Sequence, residues 1–197
     1  MLKMKKTLLT IVSLLVVALS FGQNTNWKID QSHANVTFEI DHMVITTVTG
    51  SFKEFSGVIM ADKPDFSDAS VKFTIQAASI NTDTEKRDDH LRSADFFDVA
   101  KYPTIEFVGK SMTKVSGNKY KLKGDLSMHG VTKSVELDVK YNGTIKDPWG
   151  NTRAGFKVSG SLNRTDYGLT YNTVMEAGGL VVGENVDIQV NLELIKQ

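Results

Sequence analysis

The sequence predicts an all-β chain whose strands cover their own apolar faces, and three observations predict it. Apolar and polar residues alternate in about eight separate runs, the period-two pattern of strands with one buried face. Turn-forming residues punctuate those runs. A single short stretch reads as helix, so the series of crossover helices that a parallel α/β sheet requires is missing. Such a sheet must fold onto itself as a sandwich or a closed barrel. Closure removes exposed sheet edges and favours the barrel.

The elements follow in order. Lys3, Lys5 and Lys6 precede an apolar run from Leu8 to Ala18, and Ser20 and Gly22 supply small residues after it. This is the layout of a secretory signal peptide over residues 1–22, cleaved before Gln23 and too short in its core for a transmembrane span. A short strand is expected near 27–30. Val36, Phe38 and Ile40 then alternate with Thr37, Glu39 and Asp41. One strand is expected through 48–60, followed by a turn over Ala61–Asp68. Val71, Phe73, Ile75 and Ala77 alternate with Lys72, Thr74 and Gln76.

From Thr82 to Val99 the alternation stops and charge dominates. Thr82 or Asp83 can cap a short helix there, with Glu85 or Lys86 in its first turns. A further short turn is expected from Ser93 or Asp95 to before Pro103. Strands resume at 104–112. Ser116–Gly117–Asn118 fits a tight hairpin into the run Tyr120, Leu122, Gly124, Leu126. Val135, Leu137, Val139 and Tyr141 form the next apolar face, and Asp147–Asn151 reads as a hairpin end. A strand through 153–163 and a shorter piece near 169–176 lead to the clearest alternation, Val186, Ile188, Val190, Leu192 and Leu194.

Composition narrows the function. The 197 residues carry 23 Lys plus Arg, 23 Asp plus Glu and no Cys. Loss of the leader removes three Lys and leaves residues 23–197 at about −3, which argues against a nucleic-acid partner. Without Cys there is no disulfide framework, thiolate metal site, thiol catalysis or cysteine-anchored lipid. The remaining 175 residues after a 22-residue leader suit one domain, read as periplasmic or secreted, without a transmembrane anchor.

Four blocks carry a resemblance. They are WKIDQSHANVTFEIDHMVITTVTGSFKEFSG from Trp27, SINTDTEKRDDHLRSADFFDVAKYPTIEF from Ser79, GDLSMHGVTKSVEL from Gly124, and GFKVSGSLNRTDYGL from Gly155. Within the first, Asp30, His33, Phe38, His42, Gly50, Phe52 and Gly57 sit in pattern. In this order, over nearly all of the mature chain, the blocks resemble the YceI-like family. Ala34 stands where that family usually has Ser, and Ser134 where Pro is frequent. The resemblance implies an eight-stranded antiparallel lipocalin-like barrel enclosing an elongated apolar cavity. It also implies binding or sequestration of a polyisoprenoid, prenyl-phosphate or quinone-like lipid. Eight strands leave room for one small ligand, and each CH₂ taken from water contributes about 0.8 kcal/mol.

On that reading the tail-cavity candidates are Phe38, Ile40, Phe52, Phe73, Ile75, Phe107, Leu122, Leu126, Leu137, Val139, Phe156, Val158 and Leu162. A filled core has the same alternating signature, so each is equally a packing residue. Head-group candidates are His33, His42, Arg87, His90, Arg92, Arg164 and Asp166. Arginine matches phosphate through its fixed donors, whereas salt bridging and helix capping are the alternative roles of the Arg87–Arg92 cluster. The four His, His33, His42, His90 and His129, lack the spacing of a zinc site, and no nucleophile elbow accompanies Arg164 and Asp166. The expectation is therefore a binding protein without metal, cofactor or catalysis. A packed barrel acting through a surface partner, and an isoprenoid enzyme using His90 and Asp166, are the rivals. A homodimer through an outer sheet face is an open expectation.

Overall fold

The computed structural model describes residues 25–174 and 180–197, so the expected leader lies outside the described residues. The strands are β1 (Asn26–Ile29), β2 (Asn35–His42), β3 (Thr46–Phe52), β4 (Phe55–Met60), β5 (Ser70–Gln76), β6 (Ile80–Asn81), β7 (Thr104–Ser116), β8 (Lys119–Met128), β9 (Val131–Lys146), β10 (Thr152–Asn163) and β11 (Val182–Lys196). One α-helix, α1 (Glu85–Arg92), interrupts them. Neighbours in the sheet run antiparallel in the order β1-β4-β5-β7-β8-β9-β10-β11, and β11 pairs back onto β1. This is a closed eight-stranded barrel.

The extra strands arise where a wall breaks into two. β1 and β2 lie end to end along β11, with Trp27–Ile29 opposite Leu194–Lys196 and Asn35–His42 opposite residues 182–191. The break between them is a 3-10 turn, Gln31–His33, where the Asp30 side chain accepts the Ser32 N–H at 3.0 Å. The single strand expected through 48–60 is also two. At the break, Lys53 N–H donates to the Ser79 carbonyl at 3.1 Å and Glu54 N–H to Ser79 Oγ at 3.0 Å. Those bonds replace the ladder, so β3 continues beside β2 while β4 joins β1 and β5. The piece expected near 169–176 is not a strand over 169–173. Val174 makes an isolated bridge to Leu180, and residues 175–176 lie outside the described residues.

These breaks divide the barrel into two halves. In the lower half the ring is complete. Phe66, in the loop from β4 to β5, is 2% exposed and stoppers that end. Its ring centroid lies 4.8 Å from both Trp27 and Phe156, and Tyr141 stacks on Phe156 at 5.1 Å. Rings tilted or offset at these separations add attraction beyond the area they bury. Gly124 lets the facing strands close up, because a Cβ there falls 2.4 Å from Phe107 Cζ and 2.5 Å from the Val108 carbonyl.

In the upper half β3 has only the two-residue β6 on its far edge. The gap toward β7 is covered by α1 and the turns that follow it. Helix α1 begins after Thr84, two residues beyond the earlier expected cap, because Thr82 is engaged with Asp88 instead. Past Ser93 the chain turns without forming a second helix.

An ion cluster fastens the seam where the ring closes. Arg153 on β10 donates from Nη1 to Asp30 Oδ2 at 2.6 Å, from Nε to Asp147 Oδ2 at 2.6 Å, and also meets Glu193 on β11. Hydrogen bonds from Arg153 and His33 hold Asp30 down at about 2. Burial pushes Asp147 up, but bonds from Arg153, Asn151 and Trp149 outweigh it and leave it also at about 2. Carboxylates depressed in the folded state contribute stability above their unfolded pKa of about 4, and lose it as pH falls through the folded value. Urea unfolding midpoints should therefore stay level from neutral pH to about 5 and fall between about 4 and 2. Arg153→Met should lower the neutral midpoint and flatten the fall between about 4 and 2, because Asp30 and Asp147 lose the partner that depresses them.

Candidate functional site

The upper half is hollow. A cavity of about 400 Å³ lies beneath α1, walled by Val36, Phe38 and Ile40 of β2, Val48 and Phe52 of β3, and Val186, Ile188 and Val190 of β11. Leu91, Phe96 and Phe97 supply its roof over the gap in the sheet. Gly50 keeps the wall thin at one point, since Phe38 lies across it and a Cβ there would fall 2.3 Å from the ring. The space is at the lower end of small-molecule pockets in size, and its lining is overwhelmingly apolar.

Height along the barrel separates the expected tail residues. Phe38, Ile40, Phe52, Ile75, Leu126 and Leu162 line the cavity. Phe73, Phe107, Leu122, Leu137, Val139, Phe156 and Val158 sit outside that lining and pack with the core. The boundary is sharp between β5 and β7: Ile75 faces Ile105 at the cavity floor, while Phe73 and Phe107, two residues further down, are packed.

Four of the seven expected head-group residues border the cavity, namely His42, Arg87, His90 and Arg164. Arg164 is buried at the end of β10. Its Nε donates to the Gly183 carbonyl at 2.7 Å, Nη2 to Val182 at 3.3 Å, and Nη1 to Leu169. Burial pushes its guanidinium down from the ordinary value. Arg87 donates from Nε to Thr82 Oγ1 at 2.7 Å and from Nη2 to the Thr82 carbonyl at 2.8 Å. Thr82 Oγ1 in turn donates to buried Asp88 at 2.5 Å. Among the described residues, neither arginine is paired with a carboxylate. Their direct partners are neutral, although Asp88 reaches Arg87 through Thr82 Oγ1 and the Glu184 charge acts on Arg164.

His90 Nε2 lies 2.9 Å from Asp95 Oδ2, and its ring stands edge-on to Phe96 and Tyr171 at 5.1 and 4.8 Å. His42 ends β2 at the rim. The other three lie elsewhere. His33 is on the outer surface beside Asp30 at 3.1 Å, Arg92 pins α1 to the Ala78 and Ile80 carbonyls, and Asp166 pairs with Lys133 at 3.0 Å. His33, Asp30 and Glu193 come close enough together to hold a cation, and Arg153 supplies the positive charge there.

The roof residues Leu91, Phe96 and Phe97 and the Thr82–Asp88 bond were not among the expected site residues. A signal existed for two of them: Phe96 and Phe97 are adjacent aromatics inside an otherwise charged stretch.

A YceI-like domain matches residues 27–194. The chain belongs to the YceI-like family. A UPF0312 protein of Staphylococcus aureus (strain MSSA476) is 37% identical over 170 residues, which are 86% of this chain and 96% of that protein. The YceI protein of Campylobacter jejuni has a crystal structure 31% identical, with a TM-score of 0.70 over 80% of this chain and 90% of its own. Burkholderia cenocepacia BcnA shares the fold at a TM-score of 0.72 and 23% identity, covering 84% of this chain and 98% of that one. A polyisoprenoid binding domain from Saccharophagus degradans, implicated in plant cell wall breakdown, shares it at 0.63 and 16% identity, covering 87% and 98%. In this YceI-like chain the barrel supplies an apolar cavity, and the ends of β2 and β10 together with α1 supply polar groups on its border.

The Thr82 hydroxyl serves two charges at once, buried Asp88 and half-buried Arg87. Thr82→Val should cost about 1–3 kcal/mol in urea unfolding, because Asp88 loses a partner without regaining water.

Proposed function

We propose that this protein binds an isoprenoid or similarly apolar lipid in the periplasm, without chemical change to it. The observation that carries the reading is the apolar cavity, bordered by two guanidiniums that make no direct ion pair among the described residues. Apolar carbons leave water as the tail enters, and each CH₂ contributes about 0.8 kcal/mol. The polyisoprenoid binding domain of S. degradans, with the same fold, supports a prenyl tail as the occupant. The pairing of Arg87 and Arg164 with neutral acceptors favours an anionic head, a phosphate ester rather than a free alcohol.

The volume limits the cargo. A cavity of about 400 Å³ holds a short prenyl chain entirely, and a longer one must leave part of itself at the opening. Helix α1 and residues 93–99 form the movable part of the wall in this reading, because they span the gap that the sheet leaves uncovered. The charged leader layout supports export to the periplasm.

Organic extraction of the exported protein, followed by mass spectrometry, tests the proposal. An isoprenoid-class lipid at near one per chain is expected from the wild type. Ile188→Trp, which fills the cavity, should yield much less while keeping its circular dichroism spectrum. Recovery of no apolar molecule from correctly folded wild type would remove the reading. In direct titrations a prenyl phosphate should bind better than the matching prenyl alcohol. Arg87→Met should cut that preference by roughly tenfold or more, the worth of one charge-assisted hydrogen bond.

A further inference from the structure

The rim of the cavity exposes apolar side chains in a backbone ill suited to them. In the turn from β2 to β3, Val44 is 75% exposed, Ile45 85% and Met43 40%, and in the neighbouring segment Val174 is 74% exposed. The two segments are tied together. Met43 N–H donates to the Val181 carbonyl at 2.9 Å, and Val181 N–H donates to Thr173 at 3.0 Å. They project as one edge beside His42, Tyr171 and Val181, which line the cavity.

Met43 and Val44 both take positive φ, +53° and +63°, and Ile45 N–H closes the turn onto the His42 carbonyl at 3.3 Å. Asn and Gly ordinarily occupy such positions, because a Cβ crowds the backbone there and a β-branched side chain crowds it most. An Asn-Gly pair would relieve the strain and the exposure together. The chain instead keeps two apolar side chains where the fold gains nothing from them, which is the mark of a surface made for something outside the molecule.

Charge and shape select the partner. Residues 43–52 and 167–174 contain no charged side chain. The two projecting segments carry no cation of their own to match an anionic surface, and separate projecting side chains lack the flat packed face of a protein interface. They do suit a fluid, neutral interface, where each can sink among acyl chains and Tyr171 can lie at headgroup level. We propose that this rim docks on a lipid bilayer, with Met43, Val44, Ile45 and Val174 inserted and the cavity opening turned toward the lipid. The docking stands on the rim alone; its use in loading the cavity rests on the lipid-binding reading above.

Flotation with phosphatidylcholine vesicles tests the docking, using wild type and Met43→Asn with Val44→Gly, both prepared from the full chain with the same N-terminus. Wild type should float with the vesicles equally at about 0.1 and 0.5 M salt, since insertion is not screened. The double variant should associate roughly tenfold less, consistent with the loss of two inserted side chains, while melting at a higher temperature. It should still carry the lipid recovered by extraction. No flotation of wild type, equal flotation of the variant, or association confined to anionic phosphatidylglycerol at low salt overturns the proposal. So does a wild-type dimer in solution that the double variant abolishes, because the rim would then belong to a second copy. An empty barrel that still floats removes the cargo but leaves the docking. A filled barrel that never floats does the reverse.

Discussion

A rolled sheet must find a partner for every edge, and in this chain strand β11 solves that problem twice on one side. Its C-terminal end carries β1 and its longer N-terminal part carries β2. The first pairing completes the ring; the second does not, because β3 meets nothing longer than β6 beyond it. The contrast between a filled lower half and a hollow upper half follows from this one division. Where the ring is complete, Phe66 from the β4–β5 loop packs on Trp27 and Phe156, and Tyr141 stacks on Phe156 from the neighbouring strand. Where it is open, the walls stand apart and a helix with two trailing aromatics is laid over the gap.

Polar groups follow the same division. Arg153 lies at the completed seam and is surrounded by acids that neutralise it. Arg87 and Arg164 lie at the incomplete end and are held by carbonyl and hydroxyl oxygens. A guanidinium among acids is a fastening. Arg87 and Arg164 make no such direct ion pair among the described residues, although Asp88 reaches Arg87 through Thr82 Oγ1 and Glu184 acts on Arg164.

Much of the fold was legible in the sequence. Alternation located eight strand segments, the tight turns at Gly117 and Asp147 fell at hairpins, and the break in alternation after Thr82 marked the helix. The family resemblance supplied the barrel over the sandwich. Depth was less legible. Ile75 and Phe73 share a face and differ by one step of two residues, yet one borders the cavity and the other is packed. Parity reports the face; height depends on register with β7, which pairs across the turn-and-helix excursion and leaves no trace in local pattern. For the same reason, His33 and Asp166 looked equivalent to His42 and Arg164 in the chain while lying outside the cavity lining in space. The split of 48–60 was hidden because it depends on bonds to Ser79, remote in sequence from Lys53 and Glu54.

Phe66 gives the molecule a blind end. A cavity shut at its base has one mouth for entry and exit alike, so its contents leave by the end at which they came in.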